Sequence, residues 1–445
     1  MKMKLKTSQT LRVGFAFLAI CAFWQMYDGI IPKILDKTFG IDKTVSGVIM
    51  SLDNILALFL LPFFGGLSDK CKWKMGKRKP FILCGTVVAV FLMLLLPFID
   101  NAFFKNPSTA LLVLFILILG CLLVAMGSYR SPAVALMPDV TVKPLRSKGN
   151  AIINLMGTVG GIIYLGVTSV LYSSKRVGNV AHVDYFPIFA IVAGIMMVSL
   201  CIVMFTVNEV KWAKEVEEYE KNHPEENLMD VSEEGKEILP KPVKRSLIFI
   251  LISISLWFIG YNGVTTWFTT YAEDSWNMTV GDASKCLTIA NVGAILAYIP
   301  IGSIASRIGR RKTIIAGVSM LSGGFLTAFI YTLFMDYFTW PLYLLFLIVG
   351  VAWATINVNS LPMVLEMCKG SEVGKFTGLY YTFSMSAQIV TPIVAGFLLD
   401  HVSRKSLFLY AAIASGAAIF TMLQVKHGDN KITAKKGLEA FDVED

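Results

Sequence analysis

Apolar residues in this chain fall in long runs separated by short charged or Pro/Gly/Asn-rich breaks. A bilayer core of about 30 Å is crossed by about 20 helical residues at 1.5 Å each. Runs of that length predict twelve spans, at 12–35, 45–66, 81–99, 110–137, 149–173, 185–207, 246–271, 282–306, 313–335, 340–366, 373–399 and 405–425. Barrel strands would be shorter and alternating, so the spans are helical. The one long break, 208–245, carries eleven acids and seven bases and reads as a solvated tether, with a surface helix starting near Glu209. The expected fold is all-α: an N-terminal six-helix half over 1–207, a linker loop over 208–245, a C-terminal six-helix half over 246–426 and a tail over 427–445.

Composition excludes the soluble alternative. Hydrophobic residues make up 55% and charged residues 16%, against roughly 25% charged in ordinary globular chains. A soluble protein of this length could not bury that much apolar surface. The net charge of +9 then has to be read by position. Of the 40 Lys and Arg, thirty fall on the side of the two termini, nine on the opposite side, and Arg130 inside a span. That bias predicts cytoplasmic termini and a multi-pass protein of the cell membrane. The thirty-residue side is called the basic side below. The seven cysteines lack CxxC spacing and lie mostly in apolar runs, and the four histidines form no ligand pair. No metal, cofactor, nucleic acid or ATPase partner is expected, and the chain is expected to act as a monomer.

The two halves repeat. Gly65-Gly66-Leu67-Ser68-Asp69 and Gly76-Lys77-Arg78-Lys79 follow span 2; Gly302 to Lys312, with Arg307, Arg310 and Arg311, follows span 8. A second echo follows spans 4 and 10: Asp139 with Arg146, and Glu366 with Lys375. Parallel halves with matching loops are a signature of secondary transporters built around a midplane site. The pattern G-x-x-x-D…G-[KR]-[KR]-[KR] resembles the gating motif of the major facilitator superfamily. That resemblance implies a cytoplasmic gate made of Gly65, Asp69, Gly76, Arg78, Asp139, Arg146, Arg307, Arg310, Arg311 and Glu366. Its glycines would let spans 2 and 11 approach, and its arginines would bind carboxylates and helix C-termini. Ser306 stands in place of the second acid, which implies a weaker second gate.

The run Gly76-Lys77-Arg78-Lys79-Pro80-Phe81-Ile82 resembles the glycoside–pentoside–hexuronide:cation symporters and the related sucrose–proton symporters. Ser131-Pro132-Ala133-Val134-Ala135-Leu136-Met137-Pro138-Asp139 resembles the G-P-x-R-A-L-x-A-D segment of the sucrose group. The departures fall on function. The sucrose group's arginine falls on Val134, with Arg130 one turn earlier, and its proton-binding aspartate falls near Leu123. The melibiose-type cation pair falls on Ala57 and Leu61. Neither family's cation site is inherited.

Ionisable residues inside spans are costly and tend to line a cavity. Here they are Asp28, Asp53 and Arg130. Asp28 and Asp53 lie at similar depth, roughly 10–12 Å from the outer end of spans 1 and 2. Two such carboxylates can share a proton or ligate sodium; alternatively, one of them caps a helix or bonds Asn54 or Tyr27. Arg130 lies about 30 Å along span 4 from its outer end, which argues against direct pairing with either aspartate. It serves the substrate cavity from the inner half or joins the gate. In the superfamily, spans 1, 4, 7 and 10 line the cavity. Here they carry Trp24, Gln25 and Tyr27, then Trp257, Tyr261 and Asn262, then Trp353 and Asn357; span 11 adds Gln388. Aromatic faces and amides match the apolar faces and hydroxyls of sugars, while the same polar residues also bond helix to helix.

The expectation is a secondary transporter, not an enzyme, importing a neutral glycoside or small oligosaccharide with a cation (H+ before Na+) by alternating access. Rival readings are a symporter for a hexuronide, which would use Arg130 directly, or for an amphiphile. A membrane sensor or intramembrane enzyme is the rival from another class, and no span carries the histidine or nucleophile–base pair that an enzyme would need.

Overall fold

The computed structural model describes residues 6–142, 145–177, 180–222, 240–367 and 373–429. Twelve long helices occupy the predicted spans: α1 Thr7–Lys37, α2 Lys43–Asp69, α3 Lys79–Lys105, α4 Thr109–Asp139, α5 Arg146–Leu171, α7 Phe186–Thr206, α9 Lys241–Trp276, α10 Val280–Ile308, α11 Arg310–Phe334, α12 Pro341–Leu365, α13 Val373–His401 and α14 Ser406–Leu423. Two short helices, α6 Ser174–Val177 and α8 Glu209–Asn222, lie between spans. Among the described residues eleven helices are long and apolar enough to cross a membrane, and α10 is the further long helix at 282–306. Several of the long helices, α1 to α4, α9 and α10 among them, overrun the apolar runs because hydropathy stops at the edge of the hydrocarbon while the backbone ladder continues. Thus α9 runs on through Glu273 and Asp274 to Trp276 and is closed by left-handed Asn277, whose N–H bonds the Ala272 carbonyl.

The chain divides into two compact units: Met1–Asp42 with Leu52–Glu226, and Lys43–Ser51 with Asn227–Asp445. In the first unit α1 packs chiefly on α5, and α3 on α4. Tyr129 of α4, buried, donates to the Ala16 carbonyl of α1 at 2.8 Å. In the second, α10 packs on α12 and α9 on α14. Its core is aromatic: Trp257, Trp267, Phe268 and Tyr271 are almost wholly enclosed. With lipid outside, no hydrophobic drive pulls one helix onto another, so close contact depends on small residues. Gly350 is such a contact, its Cα pressed against the Ala290 carbonyl so closely that a Cβ would overlap it. A helix backbone cannot swing aside as a side chain can. Gly350→Ala is expected to cost about 1–3 kcal/mol or more, visible as a lower midpoint in thermal unfolding of the purified protein.

The second unit includes the first nine residues of α2. Asp400 accepts from the Thr44 N–H and hydroxyl at 2.7 and 2.9 Å, Lys43 pairs with Asp274 at 3.3 Å, and the Ser51 hydroxyl reaches the Ile389 carbonyl at 2.6 Å. Gly47 and Gly396 make this approach possible, since a Cβ at either would overlap backbone of the facing helix.

Candidate functional site

In the first unit three helices bring their in-span ionisable groups together. Asp28 on α1 and Asp53 on α2 lie within each other's electrostatic reach, beside buried Tyr27. Asp53 also accepts from the Asn54 amide at 2.8 Å, one of the partners expected for it. The Arg130 guanidinium lies over the Trp24 ring, 5.7 Å from its centroid, and its charge reaches Asp53. Among the described residues Arg130 forms no ion pair with Asp28 or Asp53; its charge acts on Asp53 at longer range. Cα–Cβ bonds tilt toward a helix's N-terminus. α4 runs toward the basic side and α1 away from it, so Arg130 and Trp24 lean toward each other. Trp24 Nε1 and the Tyr27 hydroxyl are buried and find no hydrogen-bond partner among the described residues. In a low-dielectric setting such groups are costly unless a ligand or water completes them. Gln25 packs against α5, where a Cβ on Gly161 would lie 3.2 Å from its side chain.

The second unit holds an aromatic platform. Tyr261 of α9 and Trp353 of α12 stack face to face, centroids 3.7 Å apart and 4° from parallel, with Phe258 edge-on to Trp353 at 5.2 Å. Beside it, Trp257 Nε1 and Asn262 Nδ2 are buried donors without a partner among the described residues. Asn357 is half-buried one turn below Trp353. Other polar residues of these helices serve structure. Trp267 Nε1 donates to the Pro392 carbonyl at 3.1 Å, Asn359 bonds the Thr355 carbonyl at 2.9 Å, and Ser360 meets the Tyr380 hydroxyl at 3.0 Å. Among the described residues Gln388 reaches the Ser384 carbonyl of its own helix, at 3.5 Å.

On the basic side of the first unit, Arg78 is a hub. Its Nε donates to Asp139 at 2.7 Å, and its terminal nitrogens reach Asp69, Ser68 and, at 3.4 Å, the Gly65 carbonyl. Burial would lower the Arg78 pKa, but the hydrogen bond Arg78 donates to Asp139 and the charges of Asp139 and Asp69 hold it above the ordinary arginine value. In the second unit Arg310 pairs with Glu366, and Arg311 bonds the Leu423 carbonyl at 2.8 Å. Of two further residues expected in the gate, Arg146 bonds the Thr141 carbonyl at 3.2 Å, while Arg307 is exposed. The glycine expectation also moves. Gly65 approaches α4 closely, since a Cβ there would lie only 3.0 Å from Ser131 Oγ, and Gly66 has open space; the close approach of α2 to α13 is made by Gly47 at the other end of the helix.

Glu209 was not singled out by the sequence. Its carboxylate, almost wholly buried, accepts from the backbone N–H groups of Lys77, Arg78 and Lys79 at 2.6, 2.9 and 3.0 Å. The start of the supposed tether is thus docked, with Trp212 and Val216 also buried and Lys6 paired to Glu215 at 2.8 Å. An i, i+3, i+7 pattern at 209, 212 and 216 was the available signal, hidden by the high charge of the segment.

The sequence signature of the Major Facilitator Superfamily matches residues 13–284 and 273–441. The chain belongs to the Major Facilitator Superfamily. Sucrose transport protein SUC3 of Arabidopsis thaliana is 30% identical over 139 residues, covering 28% of this chain and 23% of that protein. Lactose permease of Lactobacillus helveticus is 38% identical over 71 residues, 16% of this chain and 10% of the permease. The matches thus span a quarter or less of these two relatives. The partially occluded, inward-open xylose transporter XylE from E. coli superposes with a TM-score of 0.66 at 14% identity, covering 96% of this chain and 98% of XylE. A bacterial homologue of ferroportin in its inward-facing state superposes at 0.69 and 14%, covering 95% and 99%. At such identities the likeness concerns the fold. As a member of this superfamily the chain is a multi-pass membrane transporter, not an enzyme.

Proposed function

We propose that this transporter carries a neutral glycoside or small oligosaccharide into the cell together with a proton, by alternating access, from a cell membrane in which both termini are cytoplasmic. The observation that carries the reading is the Asp28–Asp53–Arg130 group beside Trp24. Two carboxylates in a low-dielectric span exchange a proton readily, and the arginine beside them makes cargo binding sensitive to whether the proton is present. In the first unit the unpartnered donors on Trp24 and Tyr27, and in the second, taken by itself, the Tyr261–Trp353 stack with Asn262, are the kinds of group that suit hydroxyl acceptors and apolar ring faces. The sucrose and lactose proteins to which parts of the chain are similar support the same cargo class. A hexuronide would use Arg130 directly, and transport of sugar acids alone would mark that reading.

The test is uptake by proteoliposomes across a panel of neutral sugars, sugar acids and nucleosides, with an imposed pH or sodium gradient. Accumulation of a neutral glycoside driven by inward-directed protons supports the reading. Accumulation of sugar acids alone, or dependence on sodium with no response to pH, replaces it.

A further inference from the structure

Each unit contains, within itself, a contact of the same kind made from outside its long helices. In the first, Glu209 comes just after the sixth long helix and holds the N-H groups of residues 77–79, at the start of α3. Gly76 precedes them with φ +113°, and a Cβ there would overlap the Glu209 carboxylate. In the second unit, Asp429 comes just after α14 and accepts from the Arg310 N–H at 2.7 Å, at the start of α11. Gly309 precedes it with φ +96°, and a Cβ there would lie 2.7 Å from Asp429 Oδ2. Each capped helix start carries an arginine that reaches an acid at the end of another helix of its unit: Arg78 to Asp139, Arg310 to Glu366.

The chemistry explains the repetition. The first turn of a helix has N–H groups with no partner in the helix and the positive end of its dipole, so a carboxylate there is doubly favoured. Left-handed backbone at the preceding residue turns the N–H groups toward that carboxylate, and only glycine adopts it without strain while leaving room for the acid. Neither acid comes from the bundle it caps. One starts the linker and the other starts the tail.

We propose that Glu209 and Asp429 are paired latches through which the linker and the tail fix the position of Arg78 and Arg310. Each latch is a positioning residue: it holds the backbone that carries the arginine. In the first unit the latch extends into α8, whose Trp212 and Val216 are buried and whose Glu215 pairs with Lys6, so displacement of the linker is transmitted to Arg78. The inference is independent of which solute is carried.

The test reads the arginines themselves. Full-length protein in lipid nanodiscs is treated with phenylglyoxal, which modifies accessible guanidinium groups, and each site is followed by peptide mass spectrometry. In Glu209→Ala, Arg78 should react several-fold faster while Arg310 is unchanged; in Asp429→Ala the reverse is expected. Glu209→Gln keeps an acceptor of the same length and should restore part of the protection. Hydrogen exchange gives a second readout, with amides 77–79 expected to exchange about tenfold faster in Glu209→Ala. Unchanged arginine reactivity in both alanine variants overturns the proposal. So does an equal rise at both arginines in either variant, which would mean general loosening. Asp429 is exposed, so its truncation removes no core packing and decides the matter even if Glu209→Ala fails to fold.

Discussion

Proteoliposomes carrying Asp28→Asn should lose uphill uptake entirely, while exchange of labelled for unlabelled cargo continues. The amide is a permanently neutral mimic of the protonated acid. Cargo can still bind, but binding no longer waits for a proton, so a gradient of protons does no work on the cargo. One unit of imposed pH difference represents about 1.4 kcal/mol, enough for about tenfold accumulation with one proton per cargo molecule. In the variant the accumulation ratio should fall to about one. Asp53→Asn should lose uphill uptake too, for the same reason: the second carboxylate can no longer take up and release a proton. Normal accumulation by both variants would remove these carboxylates from the coupling step.

Arg78→Ala should be the most destabilising single change on the basic side. Asp69 and Asp139 end α2 and α4, and a carboxylate at a helix C-terminus meets the negative end of the dipole. Arg78 compensates both, and its side chain is only 7% exposed. Asp69 and Asp139 are partly open to water, at 61% and 33%, so the loss stays below that of a fully buried pair, at about 2–4 kcal/mol. Asp69→Asn, at the wetter end, should cost less than Asp139→Asn. Arg78→Lys should recover little, since an ammonium cannot fork to three partners at once. Thermal unfolding of the four purified variants checks the order: Arg78→Ala lowest, Asp69→Asn closest to the parent. A parent-like midpoint for Arg78→Ala would show that the hub does not hold this side together.

Legibility followed the physics of each feature. The twelve spans were readable because bilayer thickness sets a length that no local interaction can alter, and each predicted run is occupied by a helix. The gate arginines were readable in part. Arg78 and Arg310 do find acids, whereas Arg146 and Arg307, with the same charge and a similar neighbourhood in sequence, make no such pair among the described residues. Arg130 could be placed by depth but not by partner: its guanidinium lies over Trp24, and among the described residues it forms no ion pair with either aspartate. Among the cavity candidates, Trp24, Tyr27, Trp257 and Asn262 keep unpartnered donors, while Gln388 is absorbed by its own helix. Residue type alone cannot separate these outcomes, since an amide that binds cargo and one that bonds a carbonyl look identical in sequence.

By itself the sequence determined that the chain is a two-fold repeat of six membrane helices with its basic loops on one side. Hydropathy, length and charge are summed over many residues, and such sums survive any detail of packing. Only the tertiary structure decided which groups meet. Arg130 over Trp24, Tyr261 on Trp353, and Glu209 on residues 77–79 join positions 92 to 132 residues apart. Such meetings depend on helix direction, rotamer and the return path of the chain, which no local pattern encodes.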